Sequence, residues 1–189
     1  MKTSFAAAVL TATLAFLASA PTAKASDPAT DNLVKLYLNL CVPSMGQPEN
    51  VRSFAAQNNL VPIKDDATLA PLLGPGQKGA AWTIPSSLGA YMISVQDATG
   101  ACAVWAQTAD PGEVKGNFDI IIRGLNGAGI VVKMDKDVTT TTPAGEQHTI
   151  AYNVTQASAH VTFEFTMITV DHAGGPFRAS LQASKAVLN

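Results

Sequence analysis

Three histidines are the side chains of this sequence best suited to bind a metal or to move a proton near neutral pH. His148, His160 and His172 follow one another at intervals of 12 residues, which is not a local ligand motif such as HExxH. If strands two apart bring His148 near His172, with Asp171 as an acidic partner, the three could assemble a zinc site. The alternative is a half-buried histidine satisfied within its strand, and His148 favours it because it shares a strand face with Ile150. We therefore expect no metal or other cofactor, and retain His148, His172 and Asp171 as the candidate ligands.

Nucleophilic and acid–base motifs are missing from the sequence. A serine hydrolase needs an exposed nucleophile, a base and a group that orients the base, but neither GxSxG nor SxxK occurs. A glycosidase needs two carboxylates across a cleft, whereas Glu164 is expected to point away from the phenylalanines of its own strand. We expect no catalytic residue, and a hydrolase using His148 or His172 is the enzymatic alternative.

The chain has two cysteines, Cys41 and Cys102. An exported protein with two cysteines favours one disulfide between them. The bond would close a 61-residue separation and contribute at most roughly 4 kcal/mol by the chain-entropy argument. We interpret it as a link between an N-terminal helix and the sheet; the alternative is two free, buried thiols.

Residues 1–25 have the three parts of an export signal. A positive start (Met1-Lys2) precedes an apolar stretch from Phe5 to Leu17, and Ala23-Lys24-Ala25 is a small-x-small cleavage site. The alternative, a membrane anchor, is disfavoured because the apolar run is shorter than the roughly 20 residues a spanning helix needs. We predict cleavage after Ala25, a single domain over residues 26–189 with no transmembrane segment, and a periplasmic or secreted location.

The charge of the chain limits its partners. Charged residues make up 14% of the sequence and the formal net charge is −2. Nucleic-acid binding requires a basic surface, so we expect a protein or a small molecule as the partner and no nucleic acid.

The stretch from Ala90 to Leu125 predicts the centre of the fold. Apolar runs at 90–95 and 101–107 flank a polar, Gly-containing turn and predict a β-hairpin. Asp110-Pro111-Gly112-Glu113 then has the features of a helix start, with Asp as the N-cap and Pro at the first position. Apolar residues follow at a helical period: Val114, Phe118, Ile121, Ile122 and Leu125.

The rest of the chain indicates helices first and strands last. Leu33, Leu36, Tyr37, Leu40 and Cys41 form an amphipathic stripe, and a second short helix follows Pro48. Residues 60–79 are broken by Pro and Gly, with a single turn capped by Asp65-Asp66, and Trp82 is a candidate anchor and interaction surface after them. Beyond residue 130 the pattern alternates, except for a Thr-rich loop at 139–145. We predict an α+β domain with a five- to six-stranded antiparallel sheet, an amphipathic helix and an N-terminal helical segment on one face, in an element order similar to PAS-like and profilin-like sheets.

Several of these features together resemble a family of small exported bacterial proteins of unknown activity. They are the Ala-rich leader, the helix ending in Leu-Asn-Leu-Cys41, the loop before Ala81-Trp82, and Ala101-Cys102-Ala103-Val104 before a capped helix. The resemblance covers most of the chain after the leader and implies a proteobacterial periplasm. It implies no catalytic residue.

We hypothesise a non-enzymatic binding or accessory module. An exposed apolar patch near Trp82 would support this hypothesis. The alternatives are a periplasmic small-molecule sensor or carrier, with a pocket between helix and sheet, and the hydrolase described above. A closed core around Phe118, Phe163 and Phe165 would argue against a pocket at that place.

Overall fold

The computed structural model describes residues 25–171 and 176–186. Residues 1–24 of the predicted leader and His172 therefore lie outside the described residues. The helices are α1 (Pro28–Leu36), α2 (Pro48–Gln57), α3 (Asp66–Leu73) and α4 (Pro111–Gly124), with a π-helical turn at Tyr37–Cys41 and a 3₁₀ turn at Ala157–Ala159. The strands are β1 (Val61–Pro62), β2 (Gly79–Ile84), β3 (Tyr91–Gln96), β4 (Cys102–Ala106), β5 (Ile130–Thr142), β6 (Gly145–Gln156), β7 (Val161–Val170) and β8 (Ala179–Lys185).

The strands form one open antiparallel sheet in the order β1-β2-β3-β4-β8-β7-β6-β5. The predicted α+β class is confirmed, but the predicted count of five to six strands is wrong, because the sheet has eight. No helix in the described ranges has the length and apolar character needed to cross a membrane.

The differences from the expected sheet have local causes. β1 has two residues, pairs only with β2 and includes a proline, so no alternating pattern marks it. β5 continues through Thr139–Thr142, where the sequence predicts a loop. These β-branched threonines fit an extended backbone and pair with residues 145–148 of β6.

The predicted hairpin and helix at the centre are confirmed. β3 and β4 pair directly, from Tyr91 opposite Ala106 to Val95 opposite Cys102. Asp110 Oδ1 accepts a hydrogen bond of 2.9 Å from the backbone N–H of Glu113, which caps α4. Val114, Phe118 and Ile122 are the buried residues of this helix.

One face of the sheet, called the packed face below, carries the main core. It bears every second residue of the central strands, such as Ile93, Val104 and Leu181, all fully buried. The helices α1, α2 and α4 and the π-helical turn cover it. The N-terminal segment and the amphipathic helix thus lie on one face, as predicted.

The two cysteines are joined on the packed face. Cys41, in the π-helical turn, is bonded to Cys102 at the start of β4, and their Cα atoms are 5.1 Å apart. Both residues are fully buried. The predicted disulfide between the N-terminal helical segment and the sheet is therefore present, and neither cysteine is a free thiol.

The opposite face, called the α3 face below, is covered by a helix that the sequence indicates only as a single turn. α3 packs on Ala81, Ala103 and Trp105 through Leu72. Gly79 permits this close approach, because a Cβ there would lie 2.0 Å from the carbonyl oxygen of Val95 and 3.0 Å from Leu73. Helices therefore cover both faces of the half of the sheet that contains β1 to β4.

Candidate functional site

His148 and Asp171, two of the candidate ligands predicted from the sequence, line a polar cavity of about 250 Å³ on the packed face. It lies between the start of α4 and one end of strands β5 to β7. His148, Glu146, Asp171 and Lys115 contribute ionisable groups to it. His148 and Asp171, paired from the sequence as candidate ligands, therefore do share one cavity.

His148 has a carboxylate partner that the sequence did not indicate. Its Nε2 lies 2.7 Å from Oδ1 of Asp137, which the β5–β6 pairing brings to the same face. With Asp137 ionised, this contact places the proton of a neutral imidazole on Nε2 and leaves Nδ1 as the acceptor. The pair is accessible to solvent, with side-chain exposures of 31% for His148 and 49% for Asp137.

Lys115 contributes a charge that is already partnered. Its Nζ donates a 2.8 Å hydrogen bond to Oδ2 of Asp119, one helical turn further along α4. This hydrogen bond raises the pKa of Lys115 above its ordinary value. The amine is therefore protonated at neutral pH and cannot act as a base.

The cavity does not supply a metal site from the described residues. Within 25–171 and 176–186, no three His, Cys, Asp or Glu side chains converge in a way that could hold a metal ion. His160, the remaining described histidine, adopts a left-handed backbone (φ 51°) in the turn between β6 and β7. It is far along the strands from His148, which lies near the start of β6.

Trp82 lies on β2, five strand positions from β6, or about 24 Å at the usual strand spacing. Its side chain is half-buried and packs against the main core rather than forming an exposed patch. Among the large apolar side chains of the described chain that are exposed, Val61 lies on β1, next to β2, and Val131, Met134 and Val138 lie on β5.

A second cavity, of about 380 Å³, lies between α3 and the sheet. We call it the α3 cavity. Its walls are mostly apolar: Ala67, Pro71 and Leu72 of α3, Ala90 and Met92 at β3, and Pro176 and Phe177 before β8. Thr68 and Gln107 are the polar side chains in its lining. Such a volume and such a lining are typical of small-molecule sites.

A buried polar chain holds α3 against the sheet beside this cavity. The indole N–H of Trp105 donates to Ser94 Oγ at 2.9 Å, and Ser94 Oγ donates to the carbonyl of Leu72 at 3.1 Å. Trp105 also makes an edge-to-face contact with Phe177, with ring centroids 4.5 Å apart. The cavity wall is thus positioned by contacts between α3, β3, β4 and the segment before β8.

Sequence reasoning did not identify the α3 cavity, although one local signal was present. Asp65 caps α3, accepting hydrogen bonds from the backbone N–H and the hydroxyl of Thr68. These bonds lower the pKa of Asp65, so the cap is ionised at neutral pH. The aspartates at 65 and 66 marked the start of the helix, but Pro71 and the nearby glycines obscured its length.

The expected place for a pocket is filled. Phe118 and Phe165 are buried in the main core, with Phe163 half-buried beside them. The core around these phenylalanines therefore leaves no room for a ligand, whereas the α3 face has a cavity between helix and sheet.

Comparisons with models of protein families, with curated proteins and with solved structures find no match to this chain. Of the resemblance inferred from the sequence, the cysteine pair is confirmed as a disulfide. Bacterial origin and export remain predictions.

Proposed function

We propose that this protein is an exported, non-enzymatic binding module that holds a small, largely apolar molecule in the α3 cavity. The observation that carries the proposal is the apolar lining of a 380 Å³ cavity between a helix and the sheet. A carrier or sensor with a pocket between helix and sheet is the alternative that the sequence suggested by analogy with PAS-like folds. Here the pocket is on the face opposite α4.

The lining sets the chemistry of the ligand. Transfer of apolar ligand surface from water into an apolar cavity is favourable by roughly 25 cal/mol per Å². Thr68 and Gln107 add a hydroxyl and an amide at the cavity wall, and both residues are exposed. A chain or ring of several carbons with one polar end fits this arrangement, whereas a sugar or a nucleotide would leave most of its polar groups without partners.

The test uses 1-octanol as a neutral probe and Trp105 as the reporter. The chain has two tryptophans, so Trp82→Phe leaves Trp105 as the single indole. Because Trp105 touches Phe177 in the cavity wall, we expect saturable changes in Trp105 fluorescence as 1-octanol is added.

A matched pair of variants locates the probe. Ala67→Leu places a larger side chain at the cavity wall, and we expect it to weaken 1-octanol binding at least tenfold. Ala56→Leu makes the same change at an exposed position of α2, outside the cavity, and is expected to leave binding unchanged. If 1-octanol does not bind, or if both variants bind it as the parent does, the proposal fails.

The proposed compartment is supported by the leader motif and by the disulfide, because disulfides persist in oxidising compartments. Expression in a bacterial host followed by fractionation tests it. We expect the protein in the periplasm or medium, beginning at Ser26. A cytoplasmic protein that retains residues 1–25 would contradict the assignment.

A second candidate function, hydrolysis with His148 as the general base, is favoured by the Asp137–His148 hydrogen bond in the polar cavity. Turnover of p-nitrophenyl acetate by the full chain tests it. A hydrolase should lose activity in His148→Ala and retain it in His160→Ala. Equal rates in the two variants would exclude His148 as the base.

A further inference from the structure

The two edges of the sheet differ in how well they are protected from pairing with a further strand. At one edge, β1 has two residues, and Pro62 lacks the N–H that a further strand would need. At the other edge, β5 runs for 13 residues without a proline. In the part of the chain that the structure describes, β5 pairs with β6 alone. The outer row of backbone N–H and C=O groups of β5 is therefore open to a further strand.

The side chains of β5 are accessible as well. Val131, Met134 and Val138 are 59%, 48% and 38% exposed, although they are apolar. A long edge strand with exposed apolar side chains is a template for pairing with another chain. When a strand is added to such an edge, the backbone hydrogen bonds supply affinity and the side chains select the partner. The side chains of β5 therefore indicate which strand fits it.

A β-bulge determines the face on which each side chain of β5 lies. The pairing with β6 skips Asp135, which is the extra residue of the bulge. Before the bulge, Met134 lies opposite Tyr152, which packs against the main core, so the even-numbered residues lie on the packed face. After the bulge, Asp137 lies opposite Ile150, which is buried in that core, so the odd-numbered residues lie there. The alternation of faces is thus reversed at the bulge.

Asp135 and Lys136 are consequently neighbours on the α3 face. Asp135 Oδ1 accepts a hydrogen bond of 3.1 Å from the side-chain amide of Asn153, which lies opposite Lys133 on that face. Lys136 lies opposite Ala151 on the same face. Both charged residues are exposed. Among the described residues, the ion pairs include neither of them.

The reversal of faces selects one register for a second copy of β5. Side chains that lie opposite each other in an antiparallel pair share a face. A twofold axis between Asp135 and Lys136 pairs every residue up to 135 with a residue from 136 onward. Because the alternation is reversed between these two halves, every such pair shares a face. An axis elsewhere either leaves some opposite residues on different faces or uses only one half of the strand.

The same register pairs opposite charges. It places Asp135 of each copy opposite Lys136 of the other copy, which gives two ion pairs on the α3 face. Lys133 and Asp137 then lie opposite uncharged residues. A shift of the register by one residue in either direction would place Asp135 or Lys136 opposite its own equivalent. Like charges that lie directly opposite each other are destabilising, so face and charge favour the same register.

We propose that β5 pairs with β5 of a second copy of this chain, antiparallel and about a twofold axis between Asp135 and Lys136. The pairing joins the two eight-stranded sheets into one continuous sheet and gives a closed, symmetric dimer. A bulge and lysines ordinarily protect an edge strand. Here they select the partner, because only a strand with the same bulge and the same order of charges fits. The α3 cavity lies at α3, β3 and the segment before β8, so the dimer leaves it free and does not depend on the proposed ligand.

Sedimentation equilibrium of the purified chain tests the proposal. We expect a reversible dimer at concentrations of about 1 to 100 μM, and a monomer throughout that range would overturn the inference. Asp135→Lys and Lys136→Asp each replace two ion pairs by two like-charge contacts, so each should raise the dissociation constant of the dimer by about tenfold or more. Lys64→Asp makes the same kind of change at an exposed position between β1 and α3 and should dimerise as the parent does.

A mixture of the two variants tests the register. One variant presents two lysines at the axis and the other presents two aspartates, so opposite charges face each other only in the mixed dimer. The variants differ in mass, and native mass spectrometry therefore distinguishes the mixed dimer from the two homodimers. We expect the mixed dimer to predominate, which would also show that both variants are folded. A parent dimer that tolerates both substitutions, or a mixture that dimerises no better than either variant alone, would overturn the inference.

Discussion

The two faces of the sheet differ in how completely their side chains are packed. On the packed face three helices, the π-helical turn and the disulfide enclose a continuous core. On the α3 face a single eight-residue helix covers a small cluster around Trp105 and leaves a cavity beside it. The comparison shows that most of the buried core lies on one face, whereas the other face has space for the ligand that we propose. We therefore expect the stability of the fold to depend mainly on the packed face.

The largest effects are expected from a matched pair of phenylalanines, one on each face. Phe118 is fully buried in the main core, so Phe118→Ala should lower the free energy of unfolding by about 3–5 kcal/mol. Phe177 is half-buried at the α3 cavity, so Phe177→Ala should lower it by roughly 1–2 kcal/mol. Urea unfolding of both variants measures the difference. Equal decreases in the free energy of unfolding would contradict the proposed difference between the two faces.

The disulfide should contribute the next largest effect. It closes a separation of 61 residues, so its removal in the double variant Cys41→Ala, Cys102→Ala should lower the free energy of unfolding by about 2–4 kcal/mol. The α3 cavity contains neither cysteine, so the folded variant should bind 1-octanol with the parent's affinity. A loss of binding in the folded variant would show that the two faces are coupled.

The smallest effects are expected from the two aspartates that cap α1 and α3. Asp27 caps α1 and also accepts hydrogen bonds from Thr30 Oγ1 and from the N–H of Asp110, which ties α1 to α4. Burial alone would raise the pKa of Asp27, but the hydrogen bonds from Thr30, Asp110 and Ala29 together hold it below 3.8. Asp27→Ala should lower the free energy of unfolding by about 1–2 kcal/mol at pH 7. Asp65→Ala removes an exposed cap that contacts only its own helix, so it should lower the free energy of unfolding by less than Asp27→Ala does.

The pH dependence follows from the sign of the shift at Asp27. Because the pKa of Asp27 is lower in the folded state, its carboxyl group binds fewer protons there than in the unfolded state around pH 4. Its full contribution to the free energy of unfolding is therefore present above the unfolded-state pKa. It is lost as the pH falls through the lower folded-state pKa. Urea unfolding of the parent and of Asp27→Asn between pH 2 and 7 should therefore converge at the acid end. A difference that stays constant over this range would contradict the assignment.

Much of the packed face could be predicted because its signals are local. The Asp110 cap and the helical stripe through Phe118 predicted α4, apolar runs on either side of a polar turn predicted β3 and β4, and alternating residues predicted β6 and β7. The α3 face was mostly missed, since α3 contains Pro71 and β1 has two residues, so neither has a full period. The polar cavity was predicted in part. His148 and Asp171 were proposed as neighbours from their strand positions, but Asp137 was not, because its place depends on the β5–β6 register.

The sequence by itself determined the α+β class, the hairpin, the capped helix and the pairing of two cysteines that left no other intramolecular choice. The tertiary structure alone decided which groups meet across the sheet. The pairing of β4 with β8 joins residues more than 70 positions apart in the chain, and Phe177, just before β8, contacts Trp105 of β4. Periodicity and helix caps depend on residues close together in the chain, whereas a cavity depends on how distant strands and helices pack against one another. The physical reason is that hydrophobic burial specifies which face a residue takes, but not which distant residue it will meet there.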